Sequence, residues 1–224
     1  MNNLIYHGSP YCFDKFTDEY LKSEENRAAV TAGTYFTTNL SEAMQYTKID
    51  SGFIYSTVYD NRFKLLKIDN YKNQQEDFHL SKHQIAQLIL STPDFLDRAY
   101  NFLDVDLYFQ KNSHISENKI CKNLANEIAS NYMHFDDVLT LLNVLGNDFV
   151  HISDLNQFHK SFIKITGLHG FEQIYHDEQD NKEQKHIVLL DADDVNQFAF
   201  KRQPALDFLK LNSKSNYNYY SYSL

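Results

Sequence analysis

Two short segments near the start of the chain hold the residue types best suited to chemistry. Residues 6–9 read Tyr-His-Gly-Ser at the end of a brief apolar run, and residues 33–37 read Gly-Thr-Tyr-Phe-Thr, with Tyr46 further along. The first segment places an imidazole beside a residue without a side chain, and the second, with Tyr46, supplies two tyrosine rings. Flat aromatic faces next to an exposed backbone amide suit a flat, cationic ring that carries an amide, such as nicotinamide. The two segments together therefore predict a nucleotide pocket.

The elements predicted around these segments can hold them in place. A short buried strand over residues 4–6 ends at His7, which places the His-Gly pair at a strand edge facing a cleft. Residues 39–48 are predicted to form a helix, because Asn39 can cap its start, Glu42 follows three residues later and apolar residues recur at helical spacing. At ~100° per residue, Tyr46 lies on the flank of the apolar face, where it can border a cleft.

These residues resemble the ADP-ribosyltransferase fold, in its poly(ADP-ribose)-polymerase-like and diphtheria-toxin-like branch. That branch carries His-Gly, then Gly-x-Tyr-Phe, then a second tyrosine one helix later, and here these are residues 7–8, residues 33–36 and Tyr46. A lone His-Gly-Ser is a weak signal, but its pairing with the downstream block is specific. The resemblance is strongest over residues 4–59 and returns over residues 170–198. In both regions the chain is similar to small phage-encoded and toxin-type transferases.

The resemblance implies that NAD is the co-substrate and that the bond between nicotinamide and ribose breaks as positive charge passes to the sugar. It implies that His7 hydrogen-bonds a ribose hydroxyl on the adenosine side, and that the backbone of Gly8 grips the nicotinamide carboxamide. Glycine suits this position because a side chain would occupy the space of the carboxamide. The implied cofactor-binding residues are His7, Gly8, Ser9, Gly33, Tyr35, Phe36 and Tyr46.

Tyr35 and Tyr46 are the implied walls of the nicotinamide site. Each stacked contact contributes on the order of 1 kcal/mol beyond the area that it buries. Aromatic residues at such spacing are usually core packing, so the two tyrosines alone would not indicate a pocket. The presence of His7 upstream favours the pocket over simple packing.

The catalytic acid is the least defined part of the resemblance. The family ends with an acidic residue on a late strand or its preceding loop, where a carboxylate steadies positive charge on the sugar. If residues 186–191 are that strand, the expected glutamate falls near Lys185 or His186, and neither is acidic. In compact phage transferases the acid follows a Gly-aromatic strand, which maps onto Asp177. We therefore expect Asp177 as the catalytic acid, with Gln184 next, beside the alternative that residues 177–180 are only a solvated loop.

Length and composition favour one domain. The chain has 224 residues, of which 42% are hydrophobic, so it is long enough to bury a core. We expect one domain over residues 1–212 and a disordered tail rich in Tyr, Asn and Ser over residues 213–224. No secretory signal and no apolar run of ~20 residues is present, which leads us to expect a cytoplasmic protein without a membrane partner. Cys12 and Cys121 are expected to be reduced and buried.

The remaining patterns predict an α+β fold with a helical insertion over residues 80–166, and the resemblance implies an ADP-ribosyltransferase-like split antiparallel sheet. Residues 53–59 and 63–68 are predicted to form a hairpin around a turn at residues 60–62. Further helices are predicted at residues 81–90, where Ser81 and Gln84 form a capping box, after Pro93, and at residues 116–133, 136–145 and 153–166. The last strands are predicted at residues 171–175 and 186–190.

Charge and histidine spacing bear on partners. The formal net charge of −9 argues against broad, sequence-independent phosphate binding. We expect a macromolecular acceptor, with a protein first and a nucleic acid second, and leave open a neutralising partner protein. His79 and His83 are spaced like a metal-binding pair, but the sequence places no third ligand, so no metal site is expected.

The function that these observations favour is mono-ADP-ribosyl transfer from NAD. Two alternatives stay open. One is another enzyme on the same fold, either an NAD glycohydrolase or an RNA 2′-phosphotransferase. The second needs several basic residues around the pocket, and no such group of basic residues lies near the motifs. The other is a non-catalytic module that recognises a nucleotide or a protein partner. It stays open because the sequence does not define the catalytic acid.

Overall fold

A single mixed sheet, covered by helices on one face and by aromatic side chains on the other, organises the part of the chain that the structure describes. The structure is a computed structural model that describes residues 4–18, 33–48, 51–69, 74–75, 78–131, 145, 152–176 and 183–212. Strands and helices both contribute extensively to it, which confirms the expected combination of helices and sheet.

Eight strands and eight helices are defined within the described residues. The strands are β1 (Leu4–Ser9), β2 (Thr34–Thr37), β3 (Phe53–Val58), β4 (Leu65–Asp69), β5 (Gln74–Gln75), β6 (Gly170–His176), β7 (Glu183–Leu189) and β8 (Lys201–Pro204). The helices are α1 (Leu40–Gln45), α2 (Lys82–Ser91), α3 (Phe95–Ala99), α4 (Val105–Lys111), α5 (Glu117–Asn131), α6 (Ile152–Thr166), α7 (Ala192–Val195) and α8 (Ala205–Asn212).

The strand order is β5-β4-β6-β7-β2-β1-β3-β8. Every neighbouring pair is antiparallel except β4 and β6, which run parallel, so the sheet is mixed rather than antiparallel throughout. A parallel pair requires a long crossover connection, and the segment from β5 to β6, with α2 to α6 in its described parts, supplies it. The helical segment predicted at residues 80–166 is therefore the crossover between two strands of one sheet.

The predicted hairpin of residues 53–59 and 63–68 is wrong, although both strands exist. β3 pairs with β1 and β8, whereas β4 pairs with β5 and β6 on the far side of the sheet. The connection between them is anchored by Arg62, whose guanidinium lies 2.6 Å from Asp60 and donates to the carbonyl of Gln197 at 2.7 Å. Arg62 thus binds the predicted turn to Gln197, which is distant in sequence, and the two strands do not form a hairpin.

The two faces of the sheet carry two different cores. We call the first the helical face: its strand residues Leu66, Phe171 and Val188 pack against buried residues of α2, α5 and α6. The second we call the aromatic face, where Ile5, Phe36 and Ile187 pack with further aromatic residues, which are Phe16, Tyr55, Tyr59 and Phe198. Side chains alternate between these faces along each strand. This alternation decides which candidate site residues share a surface.

The predicted helices around the crossover are largely confirmed. Ser81 accepts from the Gln84 backbone amide while the Gln84 side chain accepts from that of Ser81, as the capping box requires. Helix α6 is followed by Gly167, whose φ of +71° is the conformation expected after a helix end. The predicted helix at 136–145, apart from Leu145, and the predicted tail at 213–224 lie outside the described residues.

Two sequence expectations concern the environment of the chain. Both cysteines are free, but only Cys121 is partly buried; Cys12 is exposed, so its expected burial is wrong because the segment after β1 runs along the surface there. Among the described helices, none combines the length and apolarity that crossing a membrane requires.

Candidate functional site

The structure brings the two motif segments together on neighbouring central strands. β1 carries residues 7–9 and β2 carries residues 34–37. Within the described residues, the ladder between them consists of one pair, Tyr6 with Thr37, although β1 pairs along its whole length with β3. Continuing that register places Gly8 opposite Tyr35, at a point where the ladder has stopped. The motif residues therefore lie at an interruption in the centre of the sheet.

His7 spans this interruption with its side chain. Its Nδ1 lies 2.8 Å from the carbonyl oxygen of Tyr35, and because that oxygen can only accept, Nδ1 carries the proton and donates. The imidazole lies on the aromatic face, in contact with four rings: Phe13, Phe16, Phe36 and Tyr55. Burial lowers the pKa of His7, opposed by the hydrogen bond to Tyr35. The ring is therefore neutral at neutral pH.

Gly8 lies where helix α1 meets the sheet. A Cβ atom at this position would be 1.8 Å from the carbonyl oxygen of Ala43 in α1, so only glycine permits this close approach. The expected reason for glycine was space for a carboxamide; the structure shows that the helix backbone occupies the side-chain position. Any ligand contact by Gly8 must therefore come from its backbone.

The two tyrosines are carried by different elements, Tyr35 by β2 and Tyr46 by the residue after α1. Tyr35 is half-buried and packs at the edge of the helical-face core. Tyr46 immediately follows α1 and is 58% exposed, so its ring is accessible to a ligand. Because Tyr35 points to the helical face and His7 to the aromatic face, a ligand that contacts both side chains must lie at the interruption between β1 and β2.

Three other residues implied in cofactor binding are buried and have packing roles. Phe36 is 1% exposed in the aromatic-face core, where it contacts the His7 ring. Ser9 is buried, and its hydroxyl accepts from the backbone amide of Tyr11. Gly33 packs on β7, where a Cβ would lie 2.8 Å from Val188. These residues shape the walls around His7, Gly8 and Tyr35.

Side chains alternate between the two faces of the sheet along β7, and this decides which candidates for the catalytic acid lie on the face of Tyr35. Val188 pairs with Tyr35, so Gln184 and His186 share the helical face with it, whereas Lys185 points to the aromatic face. At ~3.3 Å per residue, His186 is about 7 Å and Gln184 about 13 Å along the strand from the level of Tyr35. The preferred candidate, Asp177, lies outside the described residues.

Lys185 belongs to a separate ionic cluster on the aromatic face of the sheet. Its Nζ lies 2.8 Å from the buried carboxylate of Glu172 and 3.4 Å from Glu183. The hydrogen bond to Glu172 is the largest influence on Lys185 and raises the pKa of its ammonium group. One ammonium group thus pairs with two carboxylates on the face opposite Tyr35.

A carboxylate that the sequence analysis did not assign to the site lies on the face of Tyr35. Glu42 Oε1 is 2.6 Å from Nε2 of His186, and the hydroxyl of Thr37 donates to Oε2 at 2.5 Å. A carboxylate only accepts, so Nε2 of His186 carries the donated proton. The Glu42 and His186 side chains are each 22% exposed. The pair is thus packed into the sheet surface yet open to solvent.

The electrostatics of this pair favour the ionised acid. Burial acts to raise the pKa of Glu42, but the hydrogen bonds from His186 and Thr37 outweigh it and hold the pKa below its usual value. The ring of Tyr175 packs on His186, with centroids 4.6 Å apart, and its hydroxyl donates to Gln173. We call the set of Thr37, Glu42, Gln173, Tyr175 and His186 the polar strip.

Sequence reasoning missed Glu42 because its spacing fits a helix cap. Asn39 does cap α1, accepting from the amides of Ser41 and Glu42, but the Glu42 carboxylate turns to Thr37 and His186 instead. The available signal was the polar Thr37 directly after the Tyr-Phe pair. Only the register of β2 with β7 could reveal His186 as a partner.

Metal ligation is not indicated where side chains are described: no group of three or more His, Cys, Asp or Glu residues is arranged to hold a metal ion in those parts of the chain. Comparisons of the chain with models of protein families, with curated protein sequences and with solved structures found no match.

Proposed function

We propose that this chain is a mono-ADP-ribosyltransferase that moves ADP-ribose from NAD to a macromolecular acceptor. The observation that carries the proposal is the interrupted ladder between β1 and β2, where His7, Gly8 and Tyr35 converge although the two segments are distant in sequence. An accidental sequence match would not require these residues to meet at one break in a central sheet.

We also propose that the core is ADP-ribosyltransferase-like. Two features support this: β1 and β2 lie centrally in the strand order, and their pairing stops after a single residue pair, which is what a split sheet requires. The parallel pair of β4 and β6 lies away from the motifs and belongs to the helical crossover. In this proposal, the single-pair ladder between β1 and β2 within the one sheet is the counterpart of the split.

In the proposed reaction, the bond between C1′ of the ribose and the nicotinamide nitrogen breaks, and both bonding electrons go to that nitrogen. A nucleophilic oxygen, nitrogen or sulfur of the acceptor forms the new bond to C1′ and loses a proton to water. The Gly8 backbone would bind the carboxamide, and Tyr35 and Tyr46 would bracket the ring. His7, held by the Tyr35 carbonyl, would orient the sugar of the adenosine half.

A protein is the proposed acceptor, and the cytoplasm is the proposed place of action. A non-catalytic binding module is the second candidate, because one observation favours it: the described β7 presents Gln184, His186 and Val188, and no carboxylate, on the face of Tyr35. An NAD glycohydrolase would use the same pocket with water as the acceptor.

Incubation of the purified protein with NAD labelled in the adenosine half, with and without lysate, tests the proposal. Label on macromolecules supports transfer, and free ADP-ribose alone supports hydrolysis. Binding of NAD without turnover supports a nucleotide-binding module, and the absence of both binding and turnover contradicts both enzymes and that module.

Two exposed tyrosines provide a matched pair for the same assay. Tyr46→Ala is expected to reduce kcat/KM for NAD at least tenfold, about 1.4 kcal/mol, because it removes one wall of the ring site. Tyr100→Ala is the control, since Tyr100 is 50% exposed but lies beside α3 and binds Asp106. Equal activity of the two variants would show that Tyr46 does not contact NAD.

A further inference from the structure

We propose that Glu42 is the carboxylate that stabilises positive charge on the ribose, and that His186 and Thr37 position it. The inference rests on the proposed function, because it assigns a role within that reaction. It replaces the acid sought on the late strand with one supplied by helix α1.

The position of Glu42 follows from the two elements that it joins. On α1 it precedes Ala43, whose carbonyl is packed against Gly8, and it lies four residues before Tyr46. Tyr46 directly follows α1, so the same short helix carries both Glu42 and the exposed ring of Tyr46. On the sheet its carboxylate meets Thr37, two residues beyond Tyr35 on the same face. Glu42 therefore meets β2 at Thr37, about 7 Å along the strand from the level of Tyr35, which belongs to the proposed nicotinamide site.

The chemistry of the reaction requires an anion at such a position. As the electrons of the C1′–N bond leave with nicotinamide, positive charge develops on the sugar, and a fixed negative group facing it lowers the barrier. Glu172 and Glu183 cannot serve, because both lie on the aromatic face, where they pair with Lys185. Glu42, in contrast, is an anion on the helical face, which also carries Tyr35.

The hydrogen bonds around Glu42 hold its carboxylate in one orientation, which distinguishes it from the carboxylate of an ordinary surface salt bridge. Each carboxylate oxygen accepts one hydrogen bond, from Nε2 of His186 and from the Thr37 hydroxyl, which fixes its orientation. Each oxygen keeps a lone pair for a sugar hydroxyl. Tyr175 packs on the imidazole and limits its rotation. His186 and Thr37 are thus positioning residues, and Glu42 alone would touch the substrate.

Glu42→Gln is the decisive variant, because it removes the charge and keeps the shape. We expect kcat for NAD consumption to fall on the order of 100-fold, with KM for NAD within about threefold of wild type. Glu183→Gln is the matched control: it neutralises an exposed carboxylate on β7 that faces the other side of the sheet, and wild-type kcat is expected.

His186 is tested by two substitutions that differ in hydrogen bonding. His186→Gln keeps an N–H donor toward Glu42, whereas His186→Leu does not. We expect the Gln variant to retain at least tenfold more kcat than the Leu variant, at similar KM and similar melting temperature. Equal loss in both would identify His186 as merely structural. This pair also keeps the inference testable if Glu42→Gln folds poorly.

The outcomes separate this inference from the proposed function. If wild type transfers or hydrolyses NAD and Glu42→Gln matches it, the inference is overturned and the function stands. If Asp177→Asn abolishes turnover while Glu42→Gln keeps it, the acid is Asp177. If wild type shows no turnover at all, the proposed function fails, and the role of Glu42 fails with it.

Discussion

At the scale of single residues, packing and proposed chemistry meet at Gly8. Its missing side chain admits the backbone of α1, and its own backbone lies where β1 stops pairing with β2. The same glycine thus fixes the distance between α1 and the sheet and leaves a strand edge for a ligand. A change here should affect stability and binding together.

Gly8→Ala is expected to lower the free energy of unfolding by about 1–3 kcal/mol, because the new methyl group would overlap the Ala43 carbonyl and displace α1. Denaturant unfolding measures the loss, and amide hydrogen exchange in α1 should rise. A variant with wild-type stability and an unaltered α1 would show that the helix is not seated on Gly8 as closely as described.

His159 gives a pH dependence whose sign can be worked out. It is 3% exposed in α6, where Nδ1 donates to the carbonyl of Leu190, and burial lowers its pKa to about 4. The unfolded chain binds this proton near pH 6.5 and the folded chain does not, so stability falls as pH drops from about 6.5 to about 4, by up to about 3 kcal/mol.

Unfolding free energies of wild type and His159→Gln, measured between pH 8 and pH 4, test this. The variant should be less stable at pH 8 but should lose less stability on acidification. His7 titrates with the same sign, so the difference between the two proteins, rather than the wild-type slope, isolates His159. Parallel curves would contradict the assignment.

At the scale of elements, the crossover from β5 to β6 depends on where α6 ends. Gly167 terminates this helix with φ of +71°, and its amide donates to the carbonyl of Ile163. The chain then reverses into Leu168, which is buried, and β6. The end of α6 therefore sets the start of the strand that pairs with β4 and β7.

Gly167→Ala is expected to cost about 1–2 kcal/mol of stability, through the positive φ alone. A Cβ here would meet nothing within 4 Å, so no displacement should follow, in contrast to Gly8→Ala. Gly167→Asn should cost less, because asparagine tolerates this conformation better. Thermal unfolding of the three variants gives the order; a larger loss for Asn than for Ala would contradict it.

At the scale of the whole molecule, the net charge bears on which class of acceptor is proposed. The net charge of −9 disfavours a surface that binds nucleic acid through its phosphates, whereas a protein acceptor needs no such surface.

Label transferred from NAD in a lysate should therefore be released by protease and resist nuclease. The two digestions of one labelled sample, followed by precipitation, measure this directly. Release by nuclease but not by protease would move the acceptor to nucleic acid, and would place recognition on local cationic groups instead of the overall charge.

The sequence by itself determined most elements and the neighbourhood of His7, Gly8 and Tyr35. Strand β1, the Asn39 cap and the Ser81 capping box follow from residues close together in the chain, so local patterns predict them. The roles assigned to these residues, and to Tyr46, Asp177 and Gln184, stay predictions.

Only the tertiary structure decided the pairing of strands and the partner of Glu42. β3 and β4 are adjacent in sequence yet pair elsewhere, and Glu42 leaves its expected cap to join Thr37 and His186. The physical reason is that strand partners are chosen by burial of both sheet faces, a property of the whole chain. Since a shift of one residue in β7 would have turned Lys185 toward Tyr35 in place of His186, register settled which charges face the proposed site.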